Sequence, residues 1–295
     1  MNPKVSIIIP NYNHTAFLKQ RLDTVFNQTY NNFEVILLDD ASTDNSLEIL
    51  ETYKNHPKVS HFIPSKENSG SPFKQWEKGI KLAKGEYIWI AESDDYCELN
   101  FLEALIPLFT KKVALCYCAS NIINENNSIL GRHKWADGLD PNRWKMSYKN
   151  NGKDEIKNFL RYRNTITNAS AVVFKREIVT NLKYPSHMKF CGDWFLWIEI
   201  LKHGDVVYLQ SSLNYFRRHE GSTKPVKALG LEQKRVSEYM EVITKNSNIF
   251  SRFFNRTKYY WIFDEWRAKF KSQTNTNIKN LTLDFLIYNK LKYRK

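Results

Sequence analysis

Three short polar clusters in this chain carry residue types that could do chemistry: Pro10, Asn11, Tyr12 and Asn13; Asp39 and Asp40; and Ser93, Asp94 and Asp95. Paired carboxylates suit a hard divalent cation. Mg2+ and Mn2+ take oxygen ligands and often use one or two carboxylates together with substrate phosphates. Such a cation neutralises the charge that develops on a departing diphosphate. In the Ser93–Asp95 cluster one Asp can reach a metal while the other hydrogen-bonds a ribose hydroxyl or a metal-bound water. A carboxylate of the Asp39–Asp40 pair can accept the imide N–H of a pyrimidine. The asparagines and the aromatic ring of Tyr12 can line a nucleoside pocket. Taken singly, each cluster reads equally well as a solvated, capped turn, so its position in the fold has to decide.

The elements that must carry these clusters follow from hydrophobic spacing. Val5–Ile9, Phe33–Leu38, Val59–Ile63 and Tyr87–Ala91 are short apolar runs rich in β-branched and aromatic residues, as expected of strands covered on both faces. Between them, Thr15–Asn27 and Phe73–Ala83 have helical apolar spacing, and Ser42, Thr43 and Asp44 read as the start of a further helix. Strand and helix alternating at this pace predict βαβ crossovers and a mostly parallel sheet. In such open sheets ligands bind beyond the carboxyl ends of the strands, and all three polar clusters fall at those ends. Further along, Val113–Ala119, Asn168–Phe174 and Leu213–Arg217 read as strands, Asp193–Leu201 as a helix, and residues 125–152 as loops.

Composition narrows the function classes. The 295 residues are 42% hydrophobic, enough for a sizeable core. Four cysteines form no CxxC pair and read as reduced core residues. No GxGxxG follows the first strand and no GxxxxGK[ST] occurs, which disfavours dinucleotide-dependent dehydrogenases and P-loop enzymes. No apolar run approaches the ~18–20 residues that span a bilayer, and the amino-terminal stretch turns polar too soon for a secretory signal. The expected location is therefore the cytoplasm. Net charge is +13, concentrated after residue 224, where 15 Lys/Arg stand against 6 Asp/Glu. Aromatics (Phe250, Phe254, Trp261, Trp266) interleave with these charges. That pattern suits an anionic surface, such as the inner face of a membrane. It equally suits a solvated helical tail that packs on the domain or dimerises.

The segments VSIIIPNYN, EVILLDDASTDNS, Asn68–Gly70 and GIKLAKGEYIWIAESDD, in that order, resemble the inverting family-two glycosyltransferases. The resemblance is strong over about the first 120 residues. It implies the type-A nucleotide-diphospho-sugar transferase fold, a three-layer α/β/α Rossmann-like architecture, here with a helical carboxyl-terminal extension. Residues 1–224 would form the catalytic domain, 1–120 the donor half and 121–224 the acceptor half, with 225–295 the basic extension. The resemblance further implies that Pro10, Asn11, Tyr12 and Asn13 floor the nucleoside site, that Asn68 and Gly70 border it, that Asp40 contacts uracil, that Asp94 sits in the ribose or metal region, and that Asp95 ligates Mn2+ or Mg2+. Many relatives carry an Arg-Asn pair in the helix after residue 70. This chain has Lys74 and Gln75 there, and either could substitute.

In the second half the match is thinner. Asp193, followed by Trp194, resembles the acidic, aromatic helix start that carries the catalytic base. An inverting transfer needs a carboxylate to take the proton of the acceptor hydroxyl, and an Asp there also fits a helix N-cap. Residues 215–222 resemble the segment that closes over the diphosphate, with His219 at the metal or phosphate and Arg217 and Arg218 against phosphate charge. Asn168 and Trp194 fall on the phosphate or acceptor side. The function implied is transfer of a hexosyl or N-acetylhexosaminyl group from a nucleotide-sugar donor, a UDP-sugar in the first instance, to a glycan or lipid-linked acceptor in cell-surface polysaccharide synthesis. A sugar nucleotidyltransferase would need a Gly-rich basic loop where PNYNHT stands. A nucleic-acid-binding protein would leave the strand-end acids facing phosphates, so no nucleic-acid partner is expected.

Overall fold

The computed structural model describes residues 4–219 except 183, together with 229–259 and 261–262. In chain order the strands and helices are β1 (Val5–Asn11), α1 (Thr15–Phe26), β2 (Phe33–Asp39), α2 (Ser46–Tyr53), β3 (Val59–Pro64), α3 (Pro72–Leu82), β4 (Tyr87–Ile90), β5 (Tyr96–Cys97), α4 (Phe101–Leu105) and β6 (Val113–Ile123). They continue with β7 (Ile129–Arg132), β8 (Tyr148–Asn150), α5 (Gly152–Glu155), β9 (Val172–Lys175), α6 (Arg176–Val179), α7 (Gly192–Leu201), β10 (Asp205–Arg217), α8 (Leu229–Asn246) and α9 (Ile249–Phe254).

The strands form one sheet in the order β3-β2-β1-β4-β9-β6-β10-β5, with β7 on β6 and β8 on β10. The four amino-terminal strands are parallel to one another, as the crossover helices require. Every residue of β1, β2 and β4 is buried, which is why these segments read as continuous apolar runs. Alternate side chains feed two cores. Ile8, Ile36, Leu38, Ile88 and Ile90 face α3, α7 and α8. Val5, Ile7, Ile9, Val35, Leu37 and Trp89 face α1, α2 and α4. Helix α3 lies so close to β1 that a Cβ on Gly79 would meet Ile8 Cγ2 at 2.4 Å, a contact only glycine permits.

The second half departs from expectation in three places. The strand expected over 168–174 begins with a 3-10 turn at Ala169–Ala171, because the Asn168 side chain accepts the Ser170 N–H at 2.7 Å and curls the chain. The last strand is longer than its apolar stretch, since β10 runs over Asp205–Arg217 with register shifts against β6. The loops expected over 125–152 include β7, β8 and two 3-10 turns. Helix α2 starts at Ser46, a few residues after the expected start. All four cysteines are buried, as expected of core residues.

The described part of the carboxyl-terminal extension packs on the domain. Val242, Ile243, Tyr259 and Ile262 belong to the α3/α7 core, Tyr239 meets the Trp194 ring edge-on, and Lys245 Nζ sits 3.9 Å over the Phe195 ring. Residues 220–228 and 263–295, where most of the tail's basic residues lie, are outside the described residues.

Candidate active site

A cleft of about 520 Å³ opens at the carboxyl ends of β1, β2 and β4. One wall is a lattice of short hydrogen bonds. Asp39 points into that lattice: its carboxylate accepts Asn11 Nδ2 (2.9 Å), Ser42 N (2.9 Å) and Ser42 Oγ (2.6 Å). Asp40 points the other way and lines the cleft. It accepts Ser69 N at 2.9 Å, Ser69 Oγ at 2.7 Å and Gln75 Nε2 at 2.5 Å, while its carbonyl accepts Asn68 Nδ2 at 3.0 Å. One carboxylate thus fastens the 68–71 loop, whose turn needs the positive φ of Gly70 (73°), to the first turn of α3. Two acceptors on this wall, Asn11 Oδ1 and Gln75 Oε1, are buried with no hydrogen-bond partner among the described residues. A buried acceptor left unpaired is costly, and a nucleobase or ribose donor in the cleft could satisfy both. Pro10, Asn68 and the half-exposed ring of Tyr12 complete this side.

The second corner lies after β4. His219 Nε2 meets Asp94 Oδ2 at 3.1 Å, and His14 Nδ1 meets Ser93 Oγ at 2.8 Å. The two imidazoles stack edge-on with centroids 5.3 Å apart. One ligand atom each from His14, Asp94 and His219 lies within 4.8 Å of the others. Burial opposes charge on Asp94, yet the His219 hydrogen bond and the nearby imidazoles hold its pKa below the ordinary value. Asp95 behaves oppositely: burial, then the Asp94 charge, raises it. Burial and Asp94 also push Glu92 up to about 8, although Trp76 Nε1 donates to it at 2.8 Å. Burial lowers His14, with Asp94 opposing.

Asp95, expected at the metal, is not among those three ligand groups. Consecutive residues at this turn point apart. Its carboxylate accepts Arg217 N at 2.9 Å and Asn168 Nδ2 at 3.1 Å, so it ties β10 and the 167–169 turn to the end of β4. Arg217, expected against phosphate, is spent in the same joint. It is almost fully buried and donates to Asp94 O, Asn124 O, Glu125 O and Gln20 Oε1, with its guanidinium 4.5 Å over Phe17. Arg218 is exposed and outside the cleft lining.

The third side carries Asp193 in the first turn of α7, beside Thr167, Asn168, Ala169, Phe190 and Phe216. Asn164 Nδ2 donates to Asp193 Oδ2 at 2.9 Å, leaving the carboxylate half-buried at the cleft edge. Trp194 is buried behind it, donating to Leu160 O at 2.6 Å. Asn13 and Lys74 also turn away from the cleft: Asn13 Oδ1 accepts Thr43 N at 2.7 Å and Lys74 Nζ donates to Ser69 O at 2.9 Å. Gln75 does face the cleft. Sequence reasoning missed His14, Glu92, Thr167, Lys189, Phe190 and Leu231, all of which line it. His14 and Glu92 adjoin clusters already singled out. Thr167 adjoins Asn168, and Lys189, Phe190 and Leu231 lie in segments with no local signal.

This sheet, with its ligand cleft at the strand ends and acids placed there, defines the type-A class of nucleotide-diphospho-sugar transferases. Residues 6–182 match the family described as Glycosyl transferase family 2, and the chain belongs to that family. It is similar to the glycosyltransferase GlyG of Streptococcus pneumoniae serotype 4, 29% identical over 75% of this chain and 73% of that protein. It is also similar to the poly(ribitol-phosphate) beta-glucosyltransferase of Bacillus spizizenii, 29% identical over 86% of this chain but 42% of that protein. In fold it matches S. aureus TarS 1–349 in complex with UDP-GlcNAc, with a TM-score of 0.59 at 19% identity, over 87% of this chain and 75% of that one. The family match stops at residue 182, so Asp193 and α8 lie beyond it.

Proposed function

We propose that this protein is an inverting glycosyltransferase that moves a sugar from a UDP-sugar to a hydroxyl of a glycan or lipid-linked acceptor in cell-surface polysaccharide synthesis. The observation that carries this reading is that one cleft is lined both by His14 and Asp94, the latter backed by His219 at 3.1 Å, and, on another wall, by a half-buried Asp193 at a helix start. The relative that acts on poly(ribitol phosphate) and the neighbour that binds UDP-GlcNAc support the polymer and the donor class. Membership of a transferase family replaces the nucleotidyltransferase and nucleic-acid readings.

Two imidazoles and one carboxylate make a donor set better suited to Mn2+ than to Mg2+, which favours all-oxygen shells. His14, Asp94 and His219 would hold the ion, and when bound it would neutralise charge on the donor diphosphate. The base is held against Tyr12 and the Asn11, Asp40 and Gln75 groups. Asp193 takes the proton of the acceptor hydroxyl; that oxygen bonds to the anomeric carbon as the bond from that carbon to the phosphate oxygen breaks, and the nucleoside diphosphate leaves with the electron pair. A single displacement inverts the anomeric centre. Among the described residues no helix is long and apolar enough to cross a membrane; peripheral attachment through the basic tail is part of the proposal.

Asp193→Asn tests the base. Initial rates of UDP release from UDP-glucose, UDP-galactose and UDP-GlcNAc with Mn2+ should fall by about 10²–10⁴-fold, the usual contribution of a general base. UDP affinity by calorimetry should stay within about twofold, since the base contacts no part of the nucleotide. Wild-type turnover in this variant would sink the assignment.

A further inference from the structure

Lys189, Phe190 and Cys191 lead directly into α7 and Asp193. Their backbone N–H groups precede the hydrogen-bond ladder of the helix and need acceptors of their own. They find one carboxylate. Glu238 Oε1 accepts Lys189 N at 2.8 Å, and Glu238 Oε2 accepts Phe190 N at 2.8 Å and Cys191 N at 3.0 Å. Glu238 is 4% exposed, and its negative charge sits before the amino terminus of a 10-residue helix, where the helix dipole favours an anion. Hydrogen bonds to a charged acceptor are individually the stronger kind, and here three converge.

Glu238 belongs to α8, beyond the family match. Leu231, Arg235, Glu238 and Val242 fall on one helical face at spacings of four, three and four. Each does something different for the same wall. Leu231 lines the cleft, Arg235 lies 4.7 Å over the Phe190 ring, Glu238 holds the three amides, and Val242 is fully buried in the core beside α7. From the opposite side, Ser71 Oγ donates to Met188 O at 2.8 Å, so the loop is pinned between the donor wall and α8. Lys189 and Phe190 are both cleft residues.

We propose that Glu238 is a positioning residue for the transfer reaction: by accepting the amides of Lys189, Phe190 and Cys191 it fixes the entry to α7, and with it Asp193 and the acceptor-side lip formed by Lys189, Phe190 and Leu231. It touches neither donor nor acceptor. The role rests on Asp193 being the base, and it makes the first helix of the extension a working part of the acceptor site.

The test uses the full chain and compares wild type, Glu238→Gln, Glu238→Asp, Glu238→Ala and Asp193→Asn. Amide hydrogen exchange in Glu238→Gln should rise by about tenfold or more at residues 189–191, while the amides of β1 and β2 stay as protected as in wild type. UDP affinity with Mn2+ should stay within about twofold, and kcat for Mn2+-supported UDP-GlcNAc hydrolysis should fall about tenfold at unchanged donor KM, the pattern of an interaction needed only for the chemical step. Glu238→Asp, which keeps the charge, should recover part of both. Unchanged exchange at 189–191 in Glu238→Ala overturns the proposal. So does a loss of UDP affinity equal to the loss of kcat, which would mark Glu238 as a residue for general stability. Where hydrolysis is too slow to read, exchange and UDP binding decide. Full turnover in Asp193→Asn overturns the base assignment instead, and leaves the exchange result standing on its own.

Discussion

The proposed donor and acceptor walls of the cleft are held in different ways. The donor wall is held by many partners at once, since Asp39 and Asp40 together accept six side-chain and backbone donors from Asn11, Ser42, Ser69 and Gln75. On the proposed acceptor wall three successive amides converge on the single carboxylate of Glu238. The donor wall is built from strand ends whose positions the sheet already fixes, so each bond adjusts a geometry that would nearly exist without it. The acceptor wall is assembled from a 3-10 turn, a loop and two helices, with no ladder to fix their relative placement. Damage to the first should be graded, and damage to the second should concentrate at few residues.

The corner between the walls should give the largest effect. Asp94→Asn keeps the side-chain volume but removes the charge that His14 and His219 flank. Transfer should fall on the order of 10²–10³-fold, the scale of several kcal/mol that a bound cation supplies to a departing phosphate. UDP titrations with and without Mn2+ locate the loss: the variant should lose the Mn2+-dependent gain and keep the metal-free affinity. Asp95→Asn should keep the Mn2+ gain and lower the melting temperature instead, because its partners are Arg217 N and Asn168. The reverse pattern would exchange the roles of the two residues.

Asp40→Ala should cost less, and differently. It releases the 68–71 loop and strands Gln75 Nε2, so UDP should bind about tenfold more weakly, near the 1–2 kcal/mol of a few lost hydrogen bonds. The loss should be the same for uridine as for UDP and the same with or without Mn2+, since the group lies on the base side. A loss confined to UDP plus Mn2+ would place Asp40 in the metal corner and break the contrast between the two.

These differences also mark what could be read from the sequence. The strands β1, β2 and β4 were legible because burial on both faces leaves continuous apolar runs, and the strand-end acids followed from them. Which of Asp94 and Asp95 joins the cluster with His14 and His219 was not legible. The answer depends on Arg217, whose backbone N–H draws Asp95 away from a distance of 122 residues in the chain. Arg217 itself resembled a phosphate ligand because a buried brace and a phosphate site both use arginine. Lys74 and Gln75 could not be ranked until α3 was set against Asp40, when Gln75 turned to the carboxylate and Lys74 to Ser69 O. Glu238 gave no signal: a single Glu in a polar helix looks solvated until the helix is packed. The tail's excess of charge drew attention to a surface role, while the hydrophobic stripe of α8 that joins it to α7 is too sparse to stand out.

The smallest effect tests whether the donor half is a scaffold independent of the chemistry. Glu34, buried under the sheet, accepts Ser6 Oγ at 2.6 Å and Lys84 N at 2.8 Å, joining β2 to β1 and to the chain after α3. Burial works against its charge, but hydrogen bonds from Ser6, Ser60 and Lys84 outweigh it and hold the pKa below the ordinary carboxylate value. The folded protein therefore binds fewer protons here than the unfolded chain in the window between the two pKa values. The stabilisation is fully present above the ordinary carboxylate pKa and is lost as pH falls through the folded one. Glu34→Gln should lower stability at pH 7 by about 1 kcal/mol, the net worth of such a bond, with UDP affinity unchanged. In urea unfolding curves taken from pH 7 downward, the gap between variant and wild type should close on the acid side. A gap that stays constant through that range would mean Glu34 acts by packing alone, and the hydrogen-bonded lattice would then end at the cleft rather than extend beneath the sheet.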